Sequence, residues 1–483
     1  MEVILTNKGK KKVLLDGYEY CMKVTRNDWI RWQCRYQRTG CCKGAITTNL
    51  DITRFWSVQE QYHANNHGLS DVTKLRSQLK RKAVETAEPP SRLLAQALSN
   101  STTSVRESIG SLETTRRDLR QQRSKVRPPE PQTTADIQLR DTWTMTGGPE
   151  KQPFLIYDNG PERRDRMLVF AIHEQLRALS TSRTWYMDGT FSVCPRLFKQ
   201  LYVMRCTAGE STVACVYALL PGQTFSIYEE LFQAILDTCE AKGYAPYPEI
   251  IISDYEMAAI RASKAVFGED VTTKGCFFHL CQSTHRKVTE LGLISRYKTD
   301  DRFKKMCGML DGLAFLPPDL VPVGLDYIRG QAPTDLDDLI DYFDATYVNG
   351  TFRAVSSRVA DGALTTTMRR RRPEFPPTVW NVLEATLNNE DRTNNACEGW
   401  NSGFKKLVGH SQPSIWKLID CLQQDQALSE VMLLQISRGD PPTKKTKRAT
   451  RRLRDRLRNI CLDYLEHKQV PALLEAVGDC IRF

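Results

Sequence analysis

The sequence predicts an α/β chain: a mixed sheet with helices on its faces and a helical insertion, preceded by a small metal-stapled β-rich module. Three observations lead there. Between residues 151 and 443, apolar strand-like runs and helix-period stretches follow the order β-β-β-α-β-α-β-α, the pattern of a sheet covered by helices. Five candidate metal ligands, Cys34, Cys41, Cys42, His63 and His67, crowd into the N-terminal region. The length, 483 residues, exceeds the ~250–300 at which single cores stop growing, so two or more units are expected.

The elements follow in order. Residues 1–68 form the β-rich module. Residues 69–150 are polar, rich in Ser, Thr, Arg and Gln, and carry Pro89-Pro90 and Pro128-Pro129, so they read as a linker with helical pieces. In 151–443, Met167 to Leu179 has apolar residues at helical spacing. TWYMDGTFSV, LFKQLYVMRC and TVACVYALL then read as strands. A helix around Ile227–Leu236 precedes the apolar strand EIIISD. Glu256–Phe267 is helical, TTKGCFFHL strand-like, and a helix runs on through Leu291. A helix-rich insertion occupies about 295–390, broken by a loop-like basic stretch at Arg369–Arg372. Residues 444–483 form a basic C-terminal tail.

Composition limits function. Hydrophobic residues make up 41% and charged residues 26%, an ordinary globular balance. No run approaches the ~18 apolar residues of a membrane span, so no membrane partner is expected. The N-terminal apolar stretch precedes its basic run and is too short for a signal peptide. The 15 cysteines are therefore expected as reduced thiols or metal ligands rather than disulfides.

Two close cysteines followed about twenty residues later by a histidine pair have the general form of a zinc finger, since two thiolates and two imidazoles complete a tetrahedron. Between the pairs, GAITTNLDITRFWSVQE alternates like a hairpin. A module this small needs a metal staple because it buries too little apolar surface alone. GKKKVLLDGYEY, Trp32-Gln33-Cys34, Cys42-Lys43-Gly44, His63 and His67 resemble the FLYWCH-type zinc finger. The resemblance implies zinc held by Cys34, Cys42, His63 and His67, with Cys41 the alternative to Cys42. It also implies a core of Leu14, Tyr18, Tyr20 and Trp32. Lys10, Lys11, Lys12, Arg31, Arg35 and Arg38 are candidates for DNA phosphates.

Three carboxylates stand out farther on. Asp188 ends a strand in WYMDGTF, Asp254 ends IIISD, and Glu398 lies in RTNNACEGWN. A carboxylate at the end of an apolar strand is costly unless paired or metal-bound. Each aspartate taken alone also fits a turn or a helix cap. Three together suit magnesium or manganese, whose ligands are hard oxygens. MDGTF, SDYEMAAIRAS, CFFHLCQSTHRK and RTNNACEGWNSGF, in this order, resemble the core of Mutator-like element (MULE) transposases over about residues 165–410. That resemblance implies an RNase H-like domain with catalytic Asp188, Asp254 and Glu398. Cys276 and His279 match the family's C-x-x-H word; with Cys281 and His285 they also invite a second zinc site.

Residues 444–458 hold nine Lys or Arg and one Asp, a density that suits nucleic acid or nuclear import. Arg451 and Arg452 are its DNA-contact candidates, and Leu453 and Leu457 would share one face of a helix formed on binding. The expectation is a nuclear, DNA-binding transposase acting as a homo-oligomer, since strand transfer needs two DNA ends together. The alternatives are a domesticated, non-enzymatic DNA-binding regulator and a protein-binding finger.

Overall fold

A computed structural model describes residues 1–5, 10–39, 42–63, 67–86, 88–358, 364–440 and 448–481. Cys41, Lys444, Lys445, Lys447 and the side chains of Arg38 and His67 lie outside the described residues. The chain forms two compact units, Met1–Glu130 and Pro131–Phe483.

The first unit begins with six antiparallel strands in sequence order: β1 (Glu2–Leu5), β2 (Lys11–Leu15), β3 (Tyr18–Thr25), β4 (Ile30–Cys34), β5 (Ala45–Thr48) and β6 (Phe55–Gln59). Asp16-Gly17 turns β2 into β3 with positive φ at both residues, the conformation that two-residue hairpin loops require. The sequence-predicted hairpin is β5–β6, with Ile46 opposite Val58. Trp32, fully buried, centres a core of Val13, Leu15, Tyr20, Ile30, Ile46 and Ile52. Its indole N–H donates to Thr48 Oγ1 at 2.8 Å, so the large ring leaves no unpaired donor inside.

Four helices follow: α1 (His67–Glu85), α2 (Pro90–Ser99), α3 (Thr103–Ser108) and α4 (Leu112–Ser124). They share a core of Val72, Leu79, Ala83, Leu93, Leu94, Val105, Ile109 and Leu119. The Ser111 side chain caps α4 by accepting from the Thr114 N–H. The polar stretch therefore contains a small packed helical cluster, its apolar residues being sparse but placed on facing helix sides.

The second unit is built on a seven-stranded sheet: β7 (Leu155–Asp158), β8 (Leu168–Phe170), β9 (Thr184–Thr190), β10 (Gln200–Ala208), β11 (Ser211–Leu220), β12 (Ile250–Ser253) and β13 (Thr272–Gly275). Its order is β13-β12-β9-β10-β11-β8-β7. β9, β10 and β11 pair antiparallel, whereas β12 lies parallel to β9 and β13 parallel to β12. The helices of this part are α5 (His173–Thr181), α6 (Phe225–Glu240), α7 (Met257–Phe267) and α8 (Phe277–Glu290).

Two expected elements differ. Met167–Leu179 is not one helix: Leu168–Phe170 forms β8 and the helix starts at His173. Met167 through Ile172 are all fully buried, and an apolar run covered on both faces satisfies a strand as well as a helix. Phe277 is not a strand residue either. β13 ends at Gly275, Cys276 takes the N-cap position, and α8 begins at Phe277.

The next stretch comprises α9 (Ile294–Thr299), α10 (Asp301–Gly312), α11 (Val321–Gln331), α12 (Asp337–Phe343), the hairpin β14 (Thr351–Arg358) and β15 (Leu364–Arg371), α13 (Pro377–Trp380) and α14 (Leu383–Leu387). Arg369–Arg371 thus lie in a strand rather than a loop. The last helices are α15 (Asn395–Val408), α16 (Ile415–Ser437), α17 (Arg448–His467) and α18 (Val470–Cys480). α17 buries Leu457, Cys461 and Tyr464 in the same core as Phe303, Leu313, Phe315, Ile328 and Trp380. α18 packs closely on α10, where a Cβ at Gly308 would meet the Gly478 and Ile481 carbonyls.

Asp311 is buried inside this helical core. It accepts a hydrogen bond from Thr284 Oγ1 at 2.7 Å, yet burial pushes its carboxyl up to about 7. An acid raised in the folded state favours folding fully below the unfolded value near 4, and that contribution is lost as pH rises through 7. Asp311→Asn is therefore expected to flatten the fall in stability between pH 4 and 7, by on the order of 2–4 kcal/mol. Urea denaturation of both proteins at several pH values measures it; identical slopes would refute it.

Candidate functional site

The sheet brings two of the three carboxylates to one place. β9 and β12 run parallel with Tyr186 opposite Ile252. Asp188 and Asp254 each lie two residues beyond that pair, so a period of two puts them at one level on one side of adjacent strand ends. Asp188 is buried, 6% exposed. Burial, and then the charge of Glu398, pushes its carboxyl up to about 7. Asp254 is likewise pushed up to about 7, by burial and then by Asp188 and Glu256. No Lys or Arg is among the groups acting on either aspartate. Asp254 Oδ1 is buried without a hydrogen-bond partner. Asp254 does not cap α7; Glu256 occupies that position.

α15 supplies the third carboxylate. Asn394, Glu398 and Asn401 recur at i, i+4 and i+7, one face of a helix. Asn394 Nδ2 donates to the Met187 carbonyl at 2.8 Å, and Asn401 Nδ2 donates to Asp188 Oδ2 at 2.8 Å. The helix start is thus tied to the strand carrying Asp188. These two asparagines are the residues that sequence reasoning passed over; their spacing within RTNNACEGWN was the available signal. Trp400 stacks on Phe404 and donates its indole N–H to Asp425, facing the other core. The glycine of MDGTF has a steric reason: a Cβ at Gly189 would run into the Gln200 amide.

Glu398 reaches elsewhere as well. Its Oε1 lies 3.5 Å from His279 Nε2. Cys276, His279 and Glu398 place one ligand atom each within 4.8 Å of one another. Among the described residues, Asp188, Asp254 and Glu398 are not gathered that closely. The four-ligand word Cys276, His279, Cys281 and His285 does not converge: Cys281 faces Asp311, and His285 packs edge-on against Tyr297.

In the first unit, Cys34, Cys42 and His63 form a second ligand cluster within 4.8 Å. Cys34 Sγ is 3.3 Å from His63 Nε2. The Cys42 sulfur accepts the Gly44 and Tyr62 N–H groups at 3.2 and 3.5 Å. The His63 ring lies edge-on against Tyr18 and Tyr36. Burial pushes the Cys34 thiol up to about 11, with a further push from Cys42. Two buried sulfurs and an imidazole are a donor set that fits zinc.

The candidate phosphate contacts divide. Lys12 and Arg35 pair with the buried Glu19 at 3.4 and 3.2 Å, which ties down their charge. Arg31 bonds the neutral Thr47, Ser57 and Gln59 side chains. Lys11 begins β2 and Lys10 precedes it. Arg451 and Arg452 are exposed on α17, and Arg454 pairs with Asp391 at 3.5 Å.

The hairpin β14–β15 forms its own two-stranded sheet. Arg353 lies opposite Arg369, and Thr351 opposite Arg371, so three arginines share one face. No ion pair joins them to a carboxylate among the described residues. Like charges directly opposite across strands are destabilising unless a polyanion offsets them. Phe352 and Met368, each 64% exposed, stand on the other face.

No curated protein matches the chain. The family model of the MULE transposase domain matches residues 184–283, which include Asp188, Asp254, Cys276 and His279 but end before Glu398. The family model of the FLYWCH zinc finger domain matches residues 3–67, so the chain carries a FLYWCH zinc finger followed by a MULE transposase domain.

Proposed function

We propose that the chain is a DNA transposase, transposon-encoded or transposon-derived, that cleaves phosphodiester bonds and joins the freed ends to target DNA. The observation that carries this reading is the pair of buried strand-end carboxylates, Asp188 and Asp254, inside the segment that matches the MULE domain, with no Lys or Arg among the described residues acting on either. The sheet supports an RNase H-like reading of that domain: three antiparallel strands, with two parallel strands added beside the first.

Asp188, Asp254 and Glu398 would hold magnesium or manganese, and Asp254 Oδ1 and Glu398 Oε1, both without hydrogen bonds, fit that role. When bound, such ions stabilise charge on the attacking and leaving oxygens of phosphoryl transfer. Asn401 fixes the Asp188 carboxylate, and Asn394 sets the start of the helix that carries Glu398. The zinc finger and the arginine hairpin are the DNA-binding surfaces of the proposal; a two-stranded ribbon fits the major groove. A homo-oligomer that pairs two DNA ends, and a nuclear location, complete it.

Nicking of supercoiled DNA by the full chain tests the reading. Nicking with magnesium or manganese and none with EDTA is expected; a wild-type chain that binds DNA and never nicks would sink it. The second reading, a non-enzymatic DNA-binding regulator, draws its support from Glu398, which faces His279 instead of closing on the aspartates.

The hairpin has its own prediction. Combining Arg353→Gln, Arg369→Gln and Arg371→Gln is expected to flatten the slope of log affinity against log salt by about 2–3 for duplex DNA. Binding measured across a salt series gives the slope, and an unchanged slope rules the ribbon out as a phosphate contact.

A further inference from the structure

We infer that Cys276, His279 and Glu398 form a second transition-metal site, of zinc type, that competes for the carboxylate the proposed magnesium site needs. The inference rests on the transposase reading only for that competition; the metal site stands on its own geometry.

The three ligands come from two separate chain regions. Cys276 caps the start of α8 and His279 follows three residues later, so both point from the same helix end. Glu398 arrives from the first turn of α15. The Cys276 sulfur is fully buried and accepts the Asn394 N–H at 3.0 Å, with the Phe278 and His279 N–H groups also directed at it. Burial nevertheless pushes the Cys276 thiol up to about 11, so the sulfur enters the argument by its position beside His279 and Glu398.

The carboxylate oxygen has no donor of its own. Glu398 Oε1 is buried without a hydrogen bond. The 3.5 Å between His279 Nε2 and Glu398 Oε1 matches the roughly 3.4 Å edge of a tetrahedron whose centre lies about 2.1 Å from each ligand. A sulfur–nitrogen–oxygen set selects zinc over magnesium, whereas the aspartates offer oxygen alone. Three protein ligands leave a fourth position open. His279 and Glu398 are only partly buried, so that position has a route to solvent. The arrangement makes Glu398 a shared ligand: zinc on Cys276 and His279 would keep its carboxylate from Asp188 and Asp254.

Zinc content of the full-length chain after equilibration with zinc and gel filtration tests the site. The expected result is two zinc ions per chain, falling to one in Cys34→Ser, one in His279→Gln and none in the double variant. Cobalt added to Cys34→Ser is expected to give a thiolate-to-cobalt absorption band that His279→Gln removes. His279→Gln is chosen because His279 is partly exposed; Cys276→Ser repeats the test at the buried ligand, with circular dichroism to establish folding. A wild-type chain holding one zinc that disappears with Cys34→Ser, or a cobalt band indifferent to His279→Gln, overturns the inference. Magnesium-dependent nicking with one zinc per chain would sink this site and leave the transposase reading intact. Two zinc ions per wild-type chain, with no magnesium-dependent nicking even from His279→Gln, would do the reverse.

Discussion

Asp254→Asn is expected to abolish magnesium-dependent DNA nicking while making the metal-free protein more stable. Asp254 has a buried oxygen with no partner and lies beside the acidic Asp188 and Glu256. In the absence of a cation, this crowding destabilises the folded chain; an amide of the same shape removes the charge. A gain of about 1–3 kcal/mol in metal-free buffer follows from relieving one unpaired buried group. With saturating magnesium the order reverses, because only the wild type gains from the ligand. Nicking should fall at least ~1000-fold, equivalent to about 4 kcal/mol of barrier. Opposite signs for stability and activity separate a cation ligand from a residue that merely supports the fold. A variant that is less stable with and without magnesium, or one that still nicks, defeats the assignment.

Cys34→Ser is expected to unfold the zinc finger without unfolding the second unit. Structural zinc in small fingers contributes roughly 10–16 kcal/mol of apparent binding energy at neutral pH, much of it folding energy. The finger does have a core of its own around Trp32, so the loss is several kcal/mol rather than the whole sum. The Trp32 indole should become accessible and the affinity for DNA should fall, whereas the transition of Pro131–Phe483 stays in place. Calorimetry shows this as one shifted transition of two. Two transitions that move together would mean that the finger's metal supports both units.

Much of the site was legible because its signals are local. IIISD announces a buried strand with an acid at its end, and the cysteine and histidine words of the finger all lie between Cys34 and His67. The parts that escaped depend on distance or on an ambiguous period. Met167–Ile172 is apolar throughout, and such a run carries no phase by which to tell helix from strand. The pairing of Lys12 and Arg35 with the buried Glu19 gives two apparent phosphate ligands a counter-charge within the module. Nothing in their sequence spacing distinguishes them from Arg31. The meeting of His279 with Glu398 joins residues more than a hundred positions apart, through the sheet and the helical insertion. The arginines of β15 looked like a loop because charge density hides β pairing; Arg353, on the opposite strand, becomes visible only through the register.

The anchoring of α17 bears on how its charge is used. A basic arm that folds only on contact with DNA forfeits ~1–2 kcal/mol of backbone freedom for every residue it orders. Here Leu457, Cys461 and Tyr464 already hold the helix against the core, and α18 clamps it to α10. Arg451 and Arg452 are thus presented on a preorganised rail, and the phosphate binding proposed there would need no coil-to-helix transition. The same anchoring makes the segment indivisible from the fold: truncation before residue 448 would strip apolar cover from the helical core along with the positive charge.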